Sequence, residues 1–247
     1  MLSRVIPILL IENGELIKTT KFKNPTYIGD LLNSVKIYNE LEVDELYILD
    51  RGARKLGINY NLISQFVDEC YAPISYGGGV KSLHEIEKIL KLGVEKIVIR
   101  SKLTDSKFMK EAVEKFGSST IVACLDYVNI DGNFVTYFEN NNPNILLNEI
   151  LSKVIDYKVG DIIFQSVDRD GTYSGYDIEN IKNLTGQIQN PIIIAGGCKN
   201  IEDIKNAFNN GFSGAAAGSL FVYYSDLRGV LMNYPSELEF YDAGIKR

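Results

Sequence analysis

A chain of 247 residues with 45% apolar and 23% charged residues is long enough for one large buried core and ordinary for a folded globular protein. Its net charge of −6, with acids and bases interspersed, argues against nucleic acid as the main partner, so any bound anion must be held by local donors. Cys70, Cys124 and Cys198 are far apart and odd in number, which reads as buried free thiols in a reducing cytoplasm. The apolar run Val5–Ile11 is too short and weakly flanked for a signal peptide, and nothing approaches membrane-spanning length.

In chain order, residues 4–11 (RVIPILLI) form a continuous apolar run, as expected of a strand buried on both faces. Glu12-Asn13-Gly14 turns the chain into a second short run ending near Phe22. A helix is expected from about Ile28 to Glu40, a strand over Glu45–Asp50 and a helix over Asn59–Cys70. A helix over Lys107–Phe116 ends at Gly117, and the strand Thr120–Leu125 delivers Asp126 at its C-terminal end. An excursion over Asp131–Asn144 carries Asp-Gly and Asn-Asn-Pro-Asn turn signals. A helix from about Ile145 to Tyr157, the strand Asp161–Ser166, the loop Val167–Gly175 and a helix near Ile178–Leu184 come next. Short helices between Tyr224 and Phe240 close the chain.

Between these elements lies a stretch that occurs twice. Residues 73–103 and 191–221 align without a gap at an offset of 118 positions, with Pro73 on Pro191, Gly78-Gly79 on Gly196-Gly197, Lys81 on Lys199 and Ser101 on Ser219. Each copy reads as an apolar strand, a Gly-Gly turn, an amphipathic helix and a second apolar strand. About eight strand–helix alternations with such a repeat predict an α/β protein: one closed parallel (β/α)8 TIM barrel of two half-barrels, roughly 1–117 and 118–247. An open doubly wound sheet is the structural alternative, and it leaves the duplication unexplained.

A Gly-Gly turn opening a helix lets backbone N–H groups approach an anion at the positive helix end. Arg100-Ser101 and Gly218-Ser219, after the following strands, would add donors. Two such turns across a barrel mouth suit a ligand with a phosphate at each end, although Gly-Gly also serves merely to make tight strand–helix turns. The acids at strand ends are Asp50, Asp126, Asp168 and Asp170. Partial desolvation can make a general acid or base of Asp126, and capping loop N–H groups is its structural alternative. In the loop Asp168-Arg169-Asp170-Gly171-Thr172, Asp168 is read as fixing the loop and Asp170, beside Gly171, as touching ligand. Lys18 is a candidate substrate cation, or else a solvated lysine. With His84 the sole histidine, Ser-His and multi-histidine chemistry is absent, and neither a metal nor an organic cofactor is expected.

The segments RVIPILLIENGELIK, DELYILD, YGGGV, ACLDYVNIDG, SVDRDGTYSGYD and PIIIAGG carry a resemblance over essentially the whole chain. The protein resembles the cyclase subunit of imidazole glycerol phosphate synthase. A sister family, a phosphoribosyl-formimino isomerase, fits the SVDRDGTYSGYD loop less well. The resemblance implies that a glutaminase subunit docks on the N-terminal face of the barrel. Ammonia then crosses the interior to a doubly phosphorylated substrate at the C-terminal face. It also implies a charged gate at the channel entrance, matched here by Arg4, Glu45 and Lys96, with Asp161 replacing the family's usual Glu. A salt-bridge plug is the plainer reading of the same charges, and buried charges at one end should in either case pair into a ring.

The family's ring closure uses two aspartates. One matches Asp126, but the other position holds Leu10, which cannot exchange a proton. Arg54, Arg100, Lys21 and Thr19 also stand where the family has Ser, Asn, Asn and Gly. The resemblance therefore extends to paralogues that serve amidotransferases converting an acetamido sugar to an acetamidino sugar in surface-polysaccharide synthesis, with a third protein as the ammonia acceptor. The alternatives are the cyclase of histidine biosynthesis, with Asp126 alone or helped by Glu12, and a non-catalytic scaffold that activates the glutaminase.

Overall fold

In a computed structural model that describes residues 3–137, 145–186, 188–224 and 228–246, eight parallel strands close into a barrel. They are β1 (Arg4–Glu12), β2 (Leu46–Asp50), β3 (Ile74–Gly77), β4 (Lys96–Ile99), β5 (Ile121–Ile130), β6 (Asp161–Ser166), β7 (Ile192–Ala195) and β8 (Gly214–Ala217). Each pairs with the next, and β8 returns to β1 with Arg4 opposite Gly214 and Pro7 opposite Ala217. Helices Leu31–Glu40, Tyr60–Asp68, Leu83–Leu90, Ser106–Phe116, Leu147–Asp156, Ile178–Thr185 and Ile201–Asn209 follow β1 to β7 in turn, and Glu237–Asp242 comes after β8. The expected TIM barrel is therefore the observed one.

The pleat sorts each strand's side chains between two cores. On β1, Val5, Leu9 and Ile11 join the large core beneath the helices, while Ile6 and Ile8 join a smaller core in the barrel lumen. All three cysteines are buried free thiols, as expected. No helix among the described residues is long and apolar enough to cross a membrane.

Local capping marks where the helices begin. Asp30 accepts from Asn33 N at 2.7 Å, and Ser82 and Glu85 form a reciprocal capping box. The repeat recurs in this detail: Glu85 accepts from Lys81 N at 2.6 Å, and Asp203 accepts from Lys199 N at 2.8 Å.

Three expectations need correction. Ile28 does not open a helix; it lies in the strand Lys23–Asp30, which pairs antiparallel with Glu15–Thr20, and the helix starts only after the Asp30 cap. β5 does not end at Asp126. It runs on to Ile130 and folds back antiparallel on Asn133–Thr136, so Asp126 sits in mid-strand. The terminal helices are Ser219–Val222 and Glu237–Asp242, and Tyr223–Tyr224 instead pairs as a short ribbon with Gly229–Val230. Of the excursion over 131–144, the Asn-Asn-Pro-Asn signal lies outside the described residues.

Candidate functional site

The C-terminal ends of the strands enclose a cavity of about 400 Å³. Of the residues singled out as ligand or proton-transfer candidates, Lys18, Asp50, Gly78, Gly79, Arg100, Ser101, Asp126, Asp170, Gly171, Gly196, Gly197, Gly218 and Ser219 border it, together with Leu10, and Glu12 does not. The Gly-Gly turns are packed alike. A Cβ on Gly78 (φ +141°) would stand 2.3 Å from the Asp50 carbonyl oxygen, and one on Gly196 (φ +92°) 2.4 Å from that of Ser166. The plainer reading of these glycines, as tight turns, thus holds whatever they bind: the backbone leaves no room for a side chain.

Asp126 is 5% exposed and already engaged. Arg100 Nη1 donates to its Oδ2 at 2.7 Å, and the Cys124 thiol donates to its Oδ1 at 3.3 Å. Asp50 serves its own loop, accepting from Ala53 N at 2.9 Å and from the Tyr76 hydroxyl at 3.4 Å. It is a loop cap at the cavity edge rather than a free ligand group, and burial raises its pKa against those bonds. Asp168 holds a loop as expected, accepting from Asn129 N at 2.7 Å.

Lys18 is not solvated. It is 6% exposed, donates from Nζ to the Ile8 carbonyl at 2.8 Å, and burial lowers its pKa to about 8 against the pull of Asp170. Asp170 accepts from the Thr19 hydroxyl at 3.2 Å, and burial raises its pKa while Lys18 opposes the rise. Glu12 does not border the cavity; it faces Arg51 across 3.8 Å. No carboxylate from that quarter replaces what Leu10 lacks.

At the opposite end of the barrel the four predicted charges meet. Arg4 Nη1 lies 2.7 Å from Glu45 and Nη2 lies 2.7 Å from Asp161, while Lys96 Nζ lies 3.0 Å from each acid. The Ser75 hydroxyl donates to Glu45 at 2.8 Å. Burial disfavours the charged form of Asp161, but Arg4 and Lys96 outweigh it and hold the carboxyl below its ordinary range. The four charges thus form the closed, mutually satisfied ring that burial demands.

Tyr173, Phe22, Lys81 and Lys102 also border the cavity and were not anticipated. Tyr173 lies inside the SVDRDGTYSGYD loop and donates to the Ser219 carbonyl at 3.3 Å. The loop's specificity could have flagged it; Phe22, at the end of a hairpin, left no comparable signal.

Fold and site together define a (β/α)8 barrel with an ionic ring at its floor and a mouth bordered by two Gly-Gly turns, Lys18 and Arg100. The histidine biosynthesis protein family model matches residues 4–228. Relatives provisionally named imidazole glycerol phosphate synthase subunits span nearly the whole chain. One from Leptospira interrogans, a HisF, is 38% identical over 94% of this chain and 95% of its own. A hisF2 from Pseudomonas aeruginosa is 40% identical over 94% and 95%, and a hisF3 from Vibrio vulnificus 39% identical over 96% and 94%. The chain belongs to the histidine biosynthesis protein family, and within it to the HisF-like cyclase subunits of imidazole glycerol phosphate synthase.

Proposed function

We propose that this barrel is the ammonia-conducting subunit of a glutamine-dependent amidotransferase. A glutaminase subunit docks beneath the ring of Arg4, Glu45, Lys96 and Asp161, and ammonia crosses the lumen to the C-terminal mouth. There it serves the amidination of a surface-polysaccharide sugar, with a third protein completing the transfer. Residues 1–117 and 118–247 are taken as the two halves of the barrel, each contributing one Gly-Gly turn to a phosphorylated or otherwise anionic ligand. In this reading the protein works in the cytoplasm.

The observation that carries the reading is the state of the mouth. Leu10 occupies the position where the resemblance expects an aspartate, and Asp126 is ion-paired to Arg100 at 2.7 Å. Both oxygens of that carboxylate already accept, from Arg100 and from the Cys124 thiol, so it is poorly placed to meet a ligand proton. The floor keeps a complete ring while the mouth has lost its acid–base pair, as expected of a barrel that delivers ammonia without using it.

The test is reconstitution with a glutaminase subunit from the same organism. Glutamate release from glutamine should rise when the barrel is added, with no imidazole glycerol phosphate formed from the doubly phosphorylated cyclase substrate. Formation of that product at an enzymatic rate would favour the second reading, the cyclase of histidine biosynthesis, to which the relatives' names point. That reading requires Arg100 to release Asp126 when substrate binds.

A further inference from the structure

The internal repeat lets the two sides of the mouth be compared residue by residue, because both are built on the same backbone. In each copy an acid on the helix takes the N–H at the turn: Glu85 accepts from Lys81 N at 2.6 Å and Asp203 from Lys199 N at 2.8 Å. Each Gly-Gly turn also packs on the loop after the preceding strand, Gly79 against Ala53 and Gly197 against Gly175. The two sides therefore differ in side chains, and at the 118-position offset the difference is one of charge. Arg54, Lys81, Arg100 and Lys102 border the cavity; of their counterparts Thr172, Lys199, Gly218 and Leu220, only Gly218 does.

The second side lacks these cations for structural reasons. Thr172 is bound into its own loop, donating to the Arg169 carbonyl at 2.7 Å. A Cβ on Gly218 would stand 2.5 Å from Lys18 Nζ, so a lysine from the hairpin takes the place of the Arg100 side chain there. That lysine feels Asp170, and burial draws its pKa down to about 8. The second side thus presents one cation opposed by one acid. On the first side Asp126 bonds Arg100 at 2.7 Å, Asp105 bonds Lys102 at 3.1 Å, and Asp50 is held by its own loop. Arg54 and Lys81 are exposed and make no ion pair among the described residues.

We infer that the two anion subsites are unequal: the first, between the ends of β2, β3 and β4, receives a diphosphate group, and the second receives the uncharged or singly charged remainder of the same molecule. The ligand class is then a diphosphate ester rather than a frame with a monophosphate at each end. This deepens the proposed function and rests on its reading of the mouth as an anion site. Two adjacent phosphates need several cations side by side, which three consecutive strand ends supply, and the glycines let both approach the backbone. The remainder needs only hydrogen-bonding groups, which Lys18 and Asp170 offer.

Calorimetric titration of the full chain with orthophosphate and with pyrophosphate, in metal-free buffer at fixed ionic strength, tests this. A single pyrophosphate should bind per barrel, ~10-fold or more tighter than orthophosphate. The preference should shrink to near parity in Arg54→Ser/Lys81→Ala, both exposed positions, and be unchanged in Lys199→Ala, the offset partner outside the cavity. Equal affinities in the parent, or a preference that survives the double substitution or falls with Lys199, overturn the inference. No binding of either anion overturns it together with the anion-binding mouth. Glutaminase activation on the same preparations reads the ammonia passage separately. Activation without the preference removes the unequal subsites and leaves the passage standing, whereas the preference without activation does the reverse.

Discussion

Lys18 offers a sharp test because its burial fixes the sign of a pH effect. Its amine is 6% exposed and titrates near about 8, against 10.5 for an ordinary lysine. Between those values the unfolded chain holds a proton that the folded chain has released, so the Lys18 contribution to stability rises with pH. Below the folded value the full penalty of burying a charged amine is present, and it fades as pH rises towards 10.5. From about pH 7 to about pH 9.5 the change amounts to roughly 2 kcal/mol. Urea unfolding of the parent chain and of Lys18→Met at both pH values measures it, since other titrating groups cancel in the difference. The parent should gain about 2 kcal/mol on the variant over that interval. A difference that stays flat would mean that Lys18 is ionised like a surface lysine, and the burial argument would fall. In the same window, orthophosphate binding at the mouth should weaken as the amine loses its charge.

The remaining expectations concern the floor, the turns and position 10. Asp161→Asn leaves Arg4 and Lys96 facing Glu45 alone and should cost about 3 kcal/mol in denaturant unfolding; a cost under about 1 kcal/mol would show the ring to be solvated. Because Asp161 is held below its ordinary value, its stabilisation should be complete above about pH 4 and fade only in stronger acid, which an acid titration of the parent against Asp161→Asn reads directly. Gly196→Ala places a Cβ 2.4 Å from the Ser166 carbonyl at φ +92°, and should lower thermal stability by more than about 1 kcal/mol; an unchanged melting temperature refutes the close approach. The double variant Leu10→Asp/Arg100→Asn restores a second acid and frees Asp126, so cyclase turnover should rise by ~10²-fold or more over the parent; no rise would show that residue 10 is not the main defect.

The barrel could be read from the sequence because its signals are local. Each barrel strand is a short apolar run, each Gly-Gly turn opens a helix, and the 118-position offset shows that the pattern repeats. The ring was legible only through the resemblance, since nothing within the segments around Arg4, Glu45, Lys96 and Asp161 says that they meet. The Arg100–Asp126 pair was out of reach for the same reason. It depends on the inward faces of adjacent strands β4 and β5, a matter of register rather than of composition. Ile28 was misread because a β-branched residue ahead of a helix cap fits either element until hairpin pairing decides.

What the mouth can do follows from how its charges are already spent. Three acids border the cavity, and all three have partners within the protein: Asp50 its own loop, Asp126 Arg100, and Asp170 Thr19 with Lys18 nearby. On the proposed reading, an incoming anion would meet the Gly-Gly turns and the cations Lys18 and Arg100, not an unengaged carboxylate. A phosphate drawn to Arg100 would compete with Asp126 for the same guanidinium, so binding there and freeing the acid are one event. That coupling separates the two functional readings physically. If a bound dianion takes Arg100 away, Asp126 becomes a carboxylate facing ligand and some acid–base chemistry returns. If Arg100 keeps both partners, the mouth binds without reacting. The carboxylate's infrared band in Asp126, followed as phosphate is added to the parent and to Arg100→Asn, reports which occurs. A band that moves in the parent and stands still in the variant means the acid is released by ligand, and a band fixed in both means it is not.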